Sequence, residues 1–393
     1  MQCLLVLTFI LAPTYVIRFK LLGLPTNLLM VWVFLFWLIF ALRLTAKKQL
    51  SVFLTAVKNT DKKTLLLISL FFLSGVISLL VGGIDRQKLG QFIVLFLQPI
   101  ITFFIANFIF KQYPSTKNFL LSTLYFLLGI AGLYAILQYF ILLGLPAAWW
   151  GNSVEPKRAL SFFVHPNFYA LWCAPLLAFL IPDIFASLKT NNYKLKTFAW
   201  LLGVLGLLLS LSRSGWLGLG AAVLVYLIIA ADKKTRKIIL AGAVIVVAIV
   251  VYYPNLRYRF ITPFYGEKSA NSRIELWGDG LKAIKKSPIL GLGLTGFATQ
   301  YGALNTDPTL DTHNFPHNIF LNFWVETGLI GLISFMGLIG LLIYRGLKNR
   351  KDAYQLAVAL FLIALIFQGL VDNPYFKNDL ALVFWIILSL TII

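Results

Sequence analysis

Charge is scarce in this chain: Asp, Glu, Lys and Arg make up only 12% of its 393 residues, about half the share of a water-soluble domain. Apolar runs recur from end to end, and no separate soluble domain fits between them. Acid is scarcer still, with 14 Asp and Glu against 34 Lys and Arg and a formal net charge of +20. Nucleic-acid binding gathers such an excess on one face. Here it is spread over short loops between apolar runs, which excludes that class. The only cysteines, Cys3 and Cys173, lie in apolar runs, so there is neither a disulfide framework nor a thiolate metal spacing. The opening segment, MQCLLVLTFILAPTYVIRFK, lacks a basic leader region and a small-residue cleavage site. It reads as a first span, retained in the mature protein.

What the chain has is hydrophobic residues at 60%, with 15% Phe, Trp and Tyr. A span needs about 20 mostly apolar residues. Segments of that character fall at 3–17, 27–42, 64–82, 91–110, 119–143, 168–186, 197–212, 214–231, 238–253, 319–344, 353–371 and 380–393. This pattern predicts an all-α polytopic membrane helix bundle of about 12 transmembrane helices, 1–393 forming a single integral membrane domain. Five connections, 43–63, 111–118, 187–196, 232–237 and 345–352, hold 19 of the 34 basic residues. With twelve spans all five fall on one face, which the preference of Lys and Arg for the cytoplasm makes the inner one, with both termini. His165, His313 and His317 then lie on the outer face, as do ten of the acidic residues. So does the long 254–318 loop, a large extracytoplasmic loop of a size that is uncommon without a function.

Four outer segments carry candidate chemistry. Ser272-Arg273-Ile274-Glu275 has the spacing of a capping box. Ile274, Trp277, Leu281 and Ile284 follow as one helical stripe, which predicts an amphipathic helix on the membrane surface. Arg273 would occupy its first turn, where free N–H groups favour phosphate and a guanidinium grips oxygens in pairs. Arg273 is otherwise an interfacial anchor. Arg213 sits between two spans in Leu-Ser-Leu-Ser-Arg-Ser-Gly-Trp, and an Arg at membrane depth is costly and mostly functional; the alternative is a snorkelling side chain. Arg158 precedes His165-Pro166-Asn167 at the entry of a span, with His165 ranked below it.

The sharpest segment runs from His317-Asn318 to Gly328-Leu329-Ile330-Gly331. At ~100° per residue, Gly328 and Gly331 share a helical face with His317, and glycines on a span admit another helix or a lipid chain. An imidazole there suits proton acceptance from a sugar hydroxyl; the bland alternative is a helix cap. Glu326 points away and is assigned to buried Arg or polar backbone. Gln98 and Gln138 are assigned to helix-to-helix hydrogen bonds. Asp372, Asn373, Lys377 and Asp379 form a polar outer turn that either lines a site or is solvated.

With these residues in view, the chain resembles the O-antigen ligase/polymerase superfamily of bacterial membrane glycosyltransferases, a GT-C-like class. The pattern is His317-Asn318, nine residues, then Gly328 and Gly331, with Arg158, Arg213 and Arg273 in supporting segments across 150–330. The resemblance implies a glycan donor on undecaprenyl diphosphate and an acceptor hydroxyl on a glycan, lipid or protein. It further implies a metal-independent, cofactor-free reaction at the outer face of the cytoplasmic membrane. Arg213 and Arg273, with Arg158, would bind the diphosphate and His317 would activate the acceptor, supported by Asn318, Gly328 and Gly331. In-line attack would invert the anomeric centre. The alternatives are a polysaccharide polymerase using the same donor, or a small-anion, bicarbonate-type transporter, for which no internal repeat is evident.

Overall fold

The computed structural model describes residues 1–21, 24–152, 156–187, 193–254, 257–258, 268–304 and 315–391. His313 and much of the 254–318 loop lie outside the described residues. The helices are α1 (Gln2–Leu11), α2 (Leu28–Ala46), α3 (Leu50–Lys58), α4 (Lys62–Gly82), α5 (Arg86–Gln112) and α6 (Ser115–Ile141). Next come α7 (Pro166–Phe179), α8 (Ile181–Ser187), α9 (Lys194–Leu209), α10 (Arg213–Ile229) and α11 (Lys233–Tyr252). The last are α12 (Lys268–Lys286), α13 (Gly296–Leu304), α14 (Ile319–Lys348), α15 (Ala353–Gly369) and α16 (Asn378–Leu388).

Helix formation follows the apolar runs, and the chain is a helical, multi-pass membrane protein. Among the described residues, α2, α4, α5, α6, α11 and α14 are each long and apolar enough to cross a bilayer. The pair α7 and α8, bent by 47°, passes the same test together. Gln2–Val16, α10, α15 and Asn378–Thr391 are apolar but shorter. Two elements depart from the sequence reading. Arg18–Leu21 (β1) and Leu24–Asn27 (β2) pair antiparallel, Arg18 opposite Asn27. Arg18 and Lys20 alternate there with Phe19 and Leu21, the two-residue period of a strand. Helix α3, inside a basic connection, exposes Leu50, Val52 and Leu54, as an interfacial helix does.

The chain divides into two compact units: Met1–Thr123, Glu275–Leu342 and Asp372–Ile393; and Leu124–Ile274 with Ile343–Val371. In the first, α16 packs along α5. Pro99 brings no N–H to bond the carbonyl four residues earlier. That carbonyl, of Leu95, accepts the Tyr375 hydroxyl at 2.5 Å, and Trp385 Nε1 donates to the same hydroxyl at 3.0 Å. A π turn over Ile93–Leu97 precedes the proline. Phe71 contacts Phe96, Phe323, Phe335, Tyr375 and Trp385 to complete an aromatic core.

In the second unit α7, α10 and α15 pack closely on one another. A Cβ built on Gly218 of α10 would lie 2.6 Å from the Ala364 carbonyl oxygen of α15. Only a residue without a side chain lets these two backbones approach so nearly.

Three expectations about local structure are corrected. Helix α12 begins at Lys268, not at Ser272, so no capping box forms and Arg273 projects from the second turn. Ser269-Ala270-Asn271 contains no helix breaker, and the helix runs back through it. The expected stripe also divides. Leu276, Ala283 and Ile284 bury against Phe297 and Val325, while Ile274 and Leu281 remain 63% and 50% exposed.

Third, His317 and the two glycines do not share a helical face. His317 precedes α14, and Gly328 interrupts that helix with φ 66° and ψ −169°. The break exchanges hydrogen bonds. Leu329 N–H leaves the helix for the Ile289 carbonyl at 3.0 Å, and Leu292 N–H takes the Val325 carbonyl at 2.7 Å. Gly291 (φ 74°) and Gly328 meet backbone to backbone, where a Cβ on either would strike main chain. Gly331 faces Thr327 and, across on α4, Ser74. The glycines therefore admit the 289–292 segment and a neighbouring helix, not a lipid chain. Glu326 finds polar backbone: its Oε1 accepts the Phe297 N–H at 3.3 Å, at the start of α13.

Candidate functional site

The arginines come first, all in the second unit. Arg158 lies in an irregular segment fixed by Gln138 of α6. The Gln138 side-chain oxygen accepts the N–H groups of Leu160 and Ser161 at 3.1 and 2.8 Å, and its amide donates to the Ser161 carbonyl at 3.0 Å. The bonds expected to join helices thus clamp a loop; Gln98, by contrast, donates to the Met30 carbonyl of α2 at 3.2 Å. Held this way, Arg158 stacks 5.7 Å from the Trp149 ring centroid. Its Nη2 donates to Asn167 Oδ1 at 2.6 Å and its Nε to the Ser210 carbonyl at 3.0 Å. One guanidinium therefore ties the first turn of α7 to the turn that precedes α10.

That turn presents Arg213. Helix α9 ends at Leu209, Leu211 takes a left-handed φ of 51°, and α10 begins at Arg213. A leucine in that conformation is strained, and such strain collects at functional turns. Ser212 makes no side-chain cap to α10; its hydroxyl pairs with that of Ser214 at 3.1 Å. Arg273 donates from Nε to the Val371 carbonyl at 2.9 Å, just past the end of α15. The start of α10 meets both partner helices: a Cβ built on Gly215 would lie 3.0 Å from Ala170 Cβ of α7 and 3.7 Å from Gln368 Nε2 of α15.

Arg158, Arg213 and Arg273 are thereby attached to one three-helix junction. The N-termini of α7 and α10 bring partial positive charge to this junction and the C-terminal end of α15 partial negative charge, so the guanidinium groups are what favour an anion there. His165 is the N-cap of α7: its Nδ1 accepts the Asn167 N–H at 3.0 Å, and its ring meets Trp149 edge-on. The acceptor role of Nδ1 puts the imidazole proton on Nε2.

His317 stands in the first unit, with a left-handed φ of 48°. Its Nδ1 lies 3.2 Å from Asp372 Oδ1, the histidine side chain 27% exposed and the aspartate only 5%. The Asp372 carboxylate also accepts the Asn373 N–H at 2.9 Å, which fixes its direction. Trp277 Nε1 reaches the His317 carbonyl at 3.5 Å. Asn318 is the N-cap of α14, its Oδ1 accepting the N–H groups of Phe320 and Leu321 at 3.0 and 3.1 Å. A carboxylate behind one imidazole nitrogen fixes the orientation and tautomer of the ring. Lys377, further along the same turn, is pushed down to about 7 by burial, against the pull of Asp379 and Asp372. Among the described residues no three His, Cys, Asp or Glu side chains stand together as metal ligands would.

Sequence reasoning named Asp372 only as part of a polar turn. Fifty-five residues separate it from His317, and no local periodicity links them. Gln368 is one amide inside an apolar run, with no pattern around it to single it out.

Residues 197–336 match the O-antigen ligase family. An O-antigen ligase of Pseudomonas aeruginosa is 30% identical over 228 residues, which cover 55% of this chain and 49% of that protein. An uncharacterized protein of Haemophilus influenzae is 22% identical over 324 residues, covering 77% of this chain and 76% of that protein. The chain thus spans about half the length of the first of these relatives and three quarters of the second.

Proposed function

We propose that this chain, a member of the O-antigen ligase superfamily, transfers a glycan from undecaprenyl diphosphate to an acceptor hydroxyl at the outer face of the bacterial cytoplasmic membrane. Residues 150–330 are its ligase-like core, within one integral membrane domain of about 12 spans whose termini are cytoplasmic. The observation that carries the reading is the attachment of Arg158, Arg213 and Arg273 to one junction of helix ends.

The division of labour follows from charge. The leaving diphosphate gains negative charge in the transition state, and preorganised cations stabilise it most where water is scarce. Arg213 and Arg273 bind that group without a metal ion, and Arg158 fixes the turn that presents Arg213. His317, backed by Asp372, accepts the proton of the acceptor hydroxyl as its oxygen attacks the anomeric carbon. The C–O bond to the lipid diphosphate breaks on the opposite side, so the anomeric configuration inverts. NMR of donor and product linkages checks this, and a retained configuration rules out the one-step scheme. Thiol labelling of single cysteines placed at Lys234 and Asn271 checks the topology: Asn271→Cys reacts from outside and Lys234→Cys does not.

The test of function is reconstitution in proteoliposomes with undecaprenyl-diphosphate-linked glycan and candidate glycan, lipid and protein acceptors. Wild type transfers glycan to one of them and His317→Ala does not. Transfer that survives His317→Ala unchanged refutes the proposed chemistry.

A further inference from the structure

Gln368 occupies the last turn of α15, is fully buried, and makes no hydrogen bond through either its Oε1 or its Nε2. A buried primary amide in a hydrocarbon-embedded helix is costly when unpaired, and almost all such groups in native proteins find a partner. Its placement narrows what that partner is. Nε2 lies 3.7 Å from where a Cβ on Gly215 would be, and Gln368 Cβ 3.2 Å from where one on Gly218 would be. Gly215 is two residues beyond Arg213. Val371, less than one turn beyond Gln368, holds Arg273 through its carbonyl at 2.9 Å. Ala170, the third member of the contact at Gly215, is three residues past Asn167, to which Arg158 is bonded. The amide therefore sits where the supports of all three arginines converge.

We propose that Gln368 is a further binding residue of this anion site, its Nε2 donating to a phosphate oxygen of the lipid diphosphate. The inference rests on the diphosphate reading above. A neutral donor suits this place: it adds a hydrogen bond without burying a further charge. Glycines at 215 and 218 serve it directly. With no side chains there, the amide lies against the first turns of α10, whose N–H groups point toward the same ligand.

The experiment measures undecaprenyl diphosphate binding to the full chain in nanodiscs, beside thermal unfolding of each variant without ligand. Gln368→Met keeps the volume and removes the polar atoms. A merely structural amide that is unpaired predicts an equal or higher melting temperature and unchanged binding. The proposal predicts an equal or higher melting temperature with binding at least tenfold weaker. Gln368→Glu, of the same shape, weakens binding further by presenting oxygen to oxygen, and it decides the matter if the Met variant fails to fold. Binding within twofold of wild type in both variants, with Arg213→Ala defective, overturns the role of Gln368 and leaves the diphosphate reading standing. Arg213→Ala and Arg273→Ala binding as tightly as wild type overturns that reading and the role of Gln368 with it.

Discussion

Replacing Asp372 with asparagine isolates one charge. The new side chain keeps an oxygen to accept the Asn373 N–H, now bonded at 2.9 Å, and its shape is nearly unchanged, so the turn is retained. What disappears is the carboxylate 3.2 Å from His317 Nδ1. Two unit charges about 4 Å apart attract by about 4 kcal/mol at an effective dielectric constant near 20. In the proposed step the imidazole takes the acceptor proton as the new C–O bond forms, so the loss falls on the transition state and not on substrate binding. About 4 kcal/mol corresponds to a rate reduction of roughly 10²–10³-fold, inside the range of general-base contributions. Single-turnover transfer at saturating donor measures it, with undecaprenyl diphosphate binding measured alongside. The expected result is that loss of rate with donor affinity intact. An Asp372→Asn enzyme of wild-type rate rules out the general-base role of the pair, as does one whose defect is wholly in donor binding.

Three other outcomes follow from the packing. Gly328→Ala forces a backbone conformation that is nearly glycine-only and costs about 1–3 kcal/mol, with a Cβ aimed at the Ile289 carbonyl besides; thermal unfolding falls below wild type, and an unchanged melting temperature contradicts the main-chain exchange at 289–292. Gln138→Leu strands the N–H groups of Leu160 and Ser161, each at about 1–3 kcal/mol; it lowers both the melting temperature and donor affinity, because the loosened segment carries Arg158. Lys377→Met alters pH dependence: burial holds the native lysine near 7, below its ordinary 10.5, so the unfolded chain binds more protons between those values and native stability rises with pH across that window. The Met variant flattens that rise, and melting curves from pH 7 to 10 that match wild type reject the buried-lysine assignment.

How much of this was legible beforehand depended on the range of the interaction. The helices follow apolar runs, a local property, and the break at Arg213 appeared where Ser212-Arg213-Ser214-Gly215 interrupts one. The cap of α14 is Asn318 and not the neighbouring His317, for which a cap was the alternative reading. Local patterns mislead where a distant segment or an uninterrupted helix overrides them. Ser272-x-x-Glu275 has a capping spacing, yet nothing ahead of it stops the helix. The glycine face drawn from a helical wheel required an unbroken helix, and Gly328 breaks it because a segment some 37 residues earlier takes over its hydrogen bonds. Asp372 beside His317, and Gln368 beneath Gly215, are contacts between distant segments for which a single sequence carries no periodic signal. Arg158 is read from the sequence as a diphosphate ligand; that it also joins two turns is a contact between distant segments that the sequence does not show.

The central claim is that binding and proton transfer are divided between arginines and histidine. Equilibrium binding of undecaprenyl diphosphate, measured side by side for Arg213→Ala, Arg273→Ala and His317→Ala in nanodiscs, tests it most directly. Each arginine variant is expected to lose at least tenfold in affinity, while the histidine variant binds as wild type does and transfers nothing. Arginine variants that hold the lipid diphosphate undiminished, or a histidine variant that cannot hold it, contradict that division.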